Sequence, residues 1–352
     1  MGKSRKMLVR VALPCFIAVT GIVAFVLVRY YIDHKASNFT EPYVLYVDDG
    51  STVGSVLDSL NRNAGVIRQG SLVRMADEEG LSGALKQGRY EVKPGMSSAY
   101  VVRMIINNWQ TETKLTISGY IRDKGRLARV LSRPLQLDSA DIAALLNDDA
   151  YLSGLGFDSE TVLGMVLPDT YHLYWTATPE QVMERLKAEY DRFWNAGRLR
   201  KADSLGLTPL EVSILASIVM EESNVKDEYP VIAGVYLNRL RKGMKLQADP
   251  TARFATGDFT ITRVLYSHTR IDSPYNTYMY HGLPPAPINV PGKAAIDGVL
   301  NAADHDYLYF CARPEFDGRH NFAATYSEHK RNARAYQKAY KEWVKKKSAN
   351  QE

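Results

Sequence analysis

Two adjacent carboxylates, Glu221 and Glu222, follow an otherwise apolar run, Val212-Ser213-Ile214-Leu215-Ala216-Ser217-Ile218-Val219-Met220. The segment opens with a helix-start signature: Thr208 suits the N-cap, Pro209 the first helical position, and Glu211 completes a capping box. Glu211 is therefore read as structural. On a wheel of about 100° per residue with Leu210 at zero, Ile214, Ile218, Leu215, Val219 and Val212 span roughly 40° to 200°. Glu222 falls at about 120°, mid-stripe, and Glu221 at about 20°, on the shoulder. An acid in apolar surroundings costs several kcal/mol if ionised and unpaired, so it either pairs or keeps its proton. A carboxyl that keeps its proton near neutral pH suits general-acid work. The pattern alone leaves open a helix that ends near Val219, with both glutamates in solvent.

Other chemistry-bearing residues are weaker candidates. Asp249 and Asp169 are the rival carboxylates, each read as a turn residue beside a proline. His281, His320 and His329 lack metal-site spacing and cysteine neighbours, so no metal or other cofactor is expected. Two cysteines, Cys15 and Cys311, are too few for a disulfide framework, and Cys311 is expected to be a buried free thiol.

The elements that must position these groups begin with the composition. A chain of 352 residues, 45% hydrophobic and 24% charged, predicts about two packed domains and excludes a collagen-like, disulfide-scaffold or wholly disordered protein. The net charge is +5, of which Lys3, Arg5, Lys6 and Arg10 supply four, leaving +1 for the rest. A folded part so nearly neutral predicts no nucleic-acid partner. Val11–Val28 carries no charge and would span about 27 Å as a helix, close to the hydrocarbon thickness of a bilayer. Arg10 and Arg29 bracket it, Tyr30 and Tyr31 suit the interface, and no small-x-small cleavage site follows. The reading is a single-pass anchor at 11–31 in the plasma (inner) membrane, with 1–10 cytoplasmic and the catalytic part periplasmic or otherwise extracytoplasmic.

Residues 32–42 read as a polar linker. From 43 the order is strand (Val44–Val47), helix capped by Ser51, helix (Ser71–Glu79) and strand (Gly88–Val92), followed by a helix near Ser98–Asn108. This is a small α+β module, assigned to 43–112 with its following helix. The remainder, 113–347, reads as a larger mixed α+β domain, with 348–352 as a tail. It holds a strand from Leu115, short helices over 126–160, and long helices from Thr178 and Thr208 and at Pro230–Lys242. Residues 273–292, with five prolines and three tyrosines, form an ordered nonrepetitive loop. Tyr307–Phe310 reads as an alternating buried strand and 326–347 as a final helix. The expected fold class is therefore α+β: a transmembrane helix, a small module and a larger catalytic domain.

Ile214–Ser223 resembles the active-site segment of the MltG (YceG-like) family of endolytic murein transglycosylases. The similarity continues through Ala233–Leu240, Gly243–Thr251, Tyr275–Tyr278, Gly282–Pro285 and Pro287-Ile288, and earlier through Gly88-Arg89-Tyr90 and Leu167–Tyr171. Tyr307–Phe310 and His320-Asn321-Phe322 complete an ordered set that covers nearly all the chain beyond the anchor. One departure stands out: the family's Glu-Lys-Glu-Thr is here Met220-Glu221-Glu222-Ser223. The family's catalytic glutamate falls on Glu222, and Met220 replaces its first acid.

The resemblance implies a lyase, a peptidoglycan lytic transglycosylase that cuts MurNAc–GlcNAc bonds inside nascent glycan strands without water. The product ends are 1,6-anhydro-MurNAc, and the role is that of a terminator of glycan elongation. Glu222 would act as acid and then base. Asn238, Gln247, Asp249, Tyr275, Asn276 and Tyr278, with Ser223 beside the acid, are the candidates for the sugar groove. The module at 43–92 resembles the family's LysM-like domain. The implied partners are glycan strands, the bilayer through 11–31, and peptidoglycan synthases of the elongation or division machinery. Two other classes stay open from sequence: a hydrolase that admits water, and an idle wall-binding or division scaffold in which Glu222 is structural.

Overall fold

The computed structural model describes residues 2–349, with side chains from 13 to 347. The first element is one helix, Gly2–His34, and within it Leu13–His34 is long and apolar enough to cross a membrane. Leu13, Phe16, Ile17, Ile22 and Phe25 are exposed along it. An apolar helix that no protein covers is a candidate membrane anchor. A second apolar pair, Ala196–Leu205 and Pro209–Glu222, bends by 79° and is a core element instead, because Val212 through Val219 are buried in protein.

The chain separates into two compact units, the first running to Lys114 with Pro134–Gln136 and His172–Ala177, the second taking the rest. In the first, the strands Tyr43–Val47 and Gly88–Val92 pair antiparallel, with Tyr43 opposite Val92 and Val47 opposite Gly88. Helices Val53–Asn63 and Gln69–Glu78 and a turn of helix at Leu81–Ala84 lie between them, and Ser98–Ile106 follows. Leu45, Leu60, Leu72, Met75, Tyr90, Val102 and Ile105 form its core. The cap of the first of these helices is Thr52, reciprocated by Ser55, whereas Ser51 ties back to Asp48.

Residues 32–42 differ from the expected linker. The anchor helix continues unbroken to His34, and Asp33 is buried against Arg74, whose Nη2 donates at 2.7 Å. Asn38 is fully buried; its Nδ2 donates to Ser98 Oγ at 2.8 Å, and its Oδ1 accepts the Arg68 backbone N–H at 2.7 Å. Phe39 is fully buried beside it. Asp33 and Asn38 turn their polar groups inward, while Lys35, Ser37, Thr40 and Glu41 stay exposed. Asn38→Ala should therefore destabilise a soluble fragment beginning at Arg29 by about 1–3 kcal/mol, read by thermal unfolding, because buried partners lose their bonds. A fully solvated linker would show no change.

The second unit is mostly helical. Helix Pro209–Glu222 runs through its core, with Lys293–Leu300, Tyr229–Arg241, Asp249–Thr256 and Ala196–Leu205 packed around it. The Thr208–Glu211 capping box forms as expected. All eight residues from Val212 to Val219 are buried, so the helix is covered on every side and has no amphipathic stripe. Residues 273–292 carry no helix or strand and are held by buried Asn276, Thr277 and Asn289. The late strand is Tyr309–Ala312, two residues beyond expectation and half-buried throughout rather than alternating, because the last helix covers it only in part. It pairs antiparallel with His320–Ala323. The final helix, Tyr326–Ala349, lies on this ribbon; of the expected 348–352 tail, 350–352 fall outside the described residues. The protein is a mixed α+β chain.

Candidate active site

The site grows from the C-terminal end of Pro209–Glu222. Glu222 is its last residue and Ser223, with φ −144° and ψ 141°, turns the chain out of the helix. The two glutamates meet very different surroundings.

The side chain of Glu221 is only 2% exposed. Arg122 donates Nε to Oε1 and Nη2 to Oε2, each at 2.8 Å. Asn289 Nδ2 donates to Oε1 at 2.8 Å, and Arg253 Nη2 closes on Oε2. This bidentate, doubly cationic cradle occupies both oxygens of the carboxylate.

Glu222 is partly buried and accepts one hydrogen bond, from Tyr236 Oη at 2.6 Å. Burial pushes its carboxyl up to about 7; the Tyr236 donor opposes this, and the nearby Asp249 and Glu221 carboxylates add to it. Tyr236 is itself fully buried, and burial together with Glu222 holds its phenol well above the ordinary range, so it stays a donor. Tyr236 and Arg239 sit three apart on one face of Tyr229–Arg241. Arg239 is anchored through Leu308 O and Leu246 O, at 2.7 and 2.5 Å, with its guanidinium over the Tyr309 ring.

Two clefts meet at Glu222 and Asp249. One, of about 310 Å³, is walled by Tyr236, Gln247, Tyr278, Tyr309, Tyr326 and His329. The other, of about 250 Å³, is walled by Glu221, Arg253 and the segment Ile261–Val264. Asp249 is not a turn residue; it opens the helix Asp249–Thr256, where Pro250 at its start favours the first turn. Asp249 accepts Tyr278 Oη at 2.6 Å, and burial with this carboxylate raises the Tyr278 phenol. Gln247 holds a left-handed φ of 48°, fixed by its N–H to Thr277 O. His329 is lowered by burial and by Arg239, which keeps it neutral near pH 7.

Glu222, Gln247, Asp249 and Tyr278 thus come together at the clefts, and four other nominated residues do not. Asn238 spends its amide on His305 O and Tyr307 O, holding that loop. Asn276 is fully buried and binds Ile271 O and the Tyr278 N–H within its own loop. Tyr275 packs on Phe254 and donates to Glu160. Ser223 is buried, donating to Glu228 at 3.0 Å while Glu228 also takes the His320 ring at 2.8 Å. Each is polar because a nearby backbone or carboxylate needs it. Asp169 pairs with Lys293, which holds it below the usual carboxylate range, and it lines neither cleft.

Sequence reasoning missed Tyr236, Arg239, Arg122, Arg253 and Asn289. The i, i+3 pair on Tyr229–Arg241 was a usable signal; Arg122, 99 residues from Glu221, gave none. Cys311 is a free, half-buried thiol that burial raises. Among the described residues no three His, Cys, Asp or Glu side chains converge as metal ligands. The arrangement offers one carboxyl able to hold a proton near pH 7, a phenol to stabilise its anion, and an aromatic trough beside it.

The model of the YceG-like family matches residues 45–335. The chain is 26% identical over 309 residues to an endolytic murein transglycosylase of Bacillus subtilis (strain 168), covering 82% of this chain and 83% of that protein. It is also 26% identical over 317 residues to an endolytic murein transglycosylase of Streptococcus pneumoniae serotype 2 (strain D39), of which the match covers 57%. The crystal structure of a yceG-like protein from Listeria monocytogenes superposes with a TM-score of 0.52 at 25% identity, covering 83% of this chain and 98% of that one. A family match across residues 45–335, with a helix-end carboxyl at the meeting of two clefts, means that this chain belongs to the YceG-like family.

Proposed function

We propose that this chain is a membrane-anchored peptidoglycan lytic transglycosylase with Glu222 as its single general acid–base. The observation that carries the reading is the Glu222 carboxyl, raised to about 7 where two clefts meet and bonded to Tyr236. The names of the Bacillus and Streptococcus relatives support the substrate class.

Protonated Glu222 gives its proton to the glycosidic oxygen as the bond to the muramyl C1 breaks. The muramyl acetamido group stabilises the cationic centre from within the substrate. Glu222, now a carboxylate held by the Tyr236 hydroxyl, takes the proton of the muramyl 6-hydroxyl. That oxygen closes on C1, which leaves a 1,6-anhydro ring and a restored acid. Glu221, neutralised by Arg122 and Arg253, moves no proton. Asp249 and Tyr278 position sugar hydroxyls, and the Asp249 charge helps Glu222 keep its proton. The helix within Gly2–His34 anchors the protein with residues 1–10 in the cytoplasm, so the clefts face the wall and cut nascent strands as synthases extend them. The unit built on Tyr43–Val47 and Gly88–Val92 acts as a LysM-like glycan contact.

Product analysis of digested sacculi tests this. The reading requires 1,6-anhydro-muramyl ends, one water lighter than hydrolytic ends. Reducing muramyl ends would make the protein a hydrolase, and intact sacculi a scaffold.

The pH profile follows from the same group. The reaction needs Glu222 protonated, so kcat/KM should be level below pH about 7 and fall tenfold per unit above it. Tyr236→Phe removes a bond that favours the carboxylate, so this basic limb should move to higher pH while the maximum falls. A limb that stays in place would remove Glu222 as the titrating acid.

A further inference from the structure

A third cleft, of about 580 Å³, lies beyond the two that meet at Glu222. It shares Thr262 and Arg263 with the Arg253 cleft, as that cleft shares Glu222 and Asp249 with the first. The three hollows therefore run in series. Strand Tyr309–Ala312 borders both ends, with Tyr309 and Phe310 in the first cleft and Cys311 and Ala312 in the third.

The last helix does the same. Tyr326 and His329 face the first cleft, and Ala333, Tyr336 and Tyr340 the third. From His329 the spacings are four, seven and eleven residues, which keep one helical face over about 16 Å. Tyr336 and Tyr340 stack with centroids 6.1 Å apart and planes 21° from parallel, and Tyr340 is 48% exposed. Arg263 and Lys341 border the cleft, and no carboxylate pairs with either among the described residues. Tyr340 also stacks on Trp343, and Tyr336 packs on Phe316. The cleft thus presents the exposed rim of an aromatic ladder beside two unpaired cations, which suits a sugar that bears a carboxylate.

We infer that this third cleft is a distal glycan subsite, holding a saccharide of the same strand remote from the bond that is cut. Its ring lies on Tyr336 and Tyr340, and the carboxylate of its lactyl or peptide substituent faces Arg263 and Lys341. The inference rests on the transglycosylase reading for the identity of the strand. It makes the enzyme favour strands that extend from Glu222 into the third cleft over those too short to do so.

The test uses the full chain in detergent and glycan strands fractionated by length. For the double variant Tyr340→Ala/Lys341→Ala, the ratio of kcat/KM on long to short strands should fall about tenfold, through KM, as one stacking platform and one cation are lost. Tyr340→Phe, which keeps the ring, should retain most of the ratio. A second arm measures binding of long strands to the Glu222→Gln chain, where the same double substitution should weaken affinity about tenfold. An unchanged ratio or unchanged binding overturns the subsite. If the parent chain cuts neither strand, the transglycosylase reading fails, and the binding arm alone decides the subsite.

Discussion

Glu222→Gln should lower turnover on glycan strands by about 10²–10⁴-fold or more and abolish 1,6-anhydro ends, with the fold intact. The amide keeps the size of the side chain and can still accept from Tyr236 Oη, which now lies 2.6 Å from Oε1, but it can neither deliver nor receive the proton. Its stability has a definite sign. Burial raises the folded carboxyl to about 7, so the unfolded chain ionises first, and wild-type stability declines as pH rises from its ordinary value of 4.5 toward 7. The neutral amide carries no such loss. At neutral pH the variant should therefore melt no lower than the parent, and lost activity can be charged to chemistry. Folded Glu222→Gln that forms anhydro ends at a normal rate would end the assignment.

Glu221→Gln should show the opposite pattern, a large loss of stability with activity per folded molecule kept within about tenfold. Glu221 balances two guanidiniums whose side chains are only 19% and 24% exposed. Removing its charge leaves both unpaired at the core. Breaking a buried pair costs about 3–5 kcal/mol, and the partial exposure of both arginines places the loss near the low end. Denaturant unfolding of a fragment beginning at Arg29 measures it. Turnover must be referred to the folded fraction, because Arg253 also walls a cleft and shifts when its partner goes. A folded but inactive Glu221→Gln beside an active Glu222→Gln would exchange the two roles.

The helical wheel reached Glu222 by a premise that the fold removes. It assumed an apolar stripe, whereas Val212–Val219 are buried all round. Burial does not separate them, since both residues fall in the same half-buried range. What separates the pair is partnership: two arginines and an amide around one, a single phenol beside the other.

From sequence alone came the features that near neighbours decide. The Thr208–Glu211 capping box and the helix start at Thr178 need only residues a few positions apart. The strand, helix, helix, strand order of the first unit follows from periodicity and turn residues, and the apolar run from its length. The motif order pointed to the family, and the resemblance nominated Glu222 as the acid. Only the tertiary structure decided the partners of the two carboxylates and the lining of the clefts. Arg122 and Arg253 reach Glu221 from 99 and 32 residues away, and Asn289 from 68. Asn238, Asn276 and Tyr275 look like sugar ligands by residue type, yet distant backbone and carboxylate groups already take their hydrogen bonds. A side chain's type states what it can bond; which partner it meets is set by packing between segments far apart in the chain, and no local pattern carries that information.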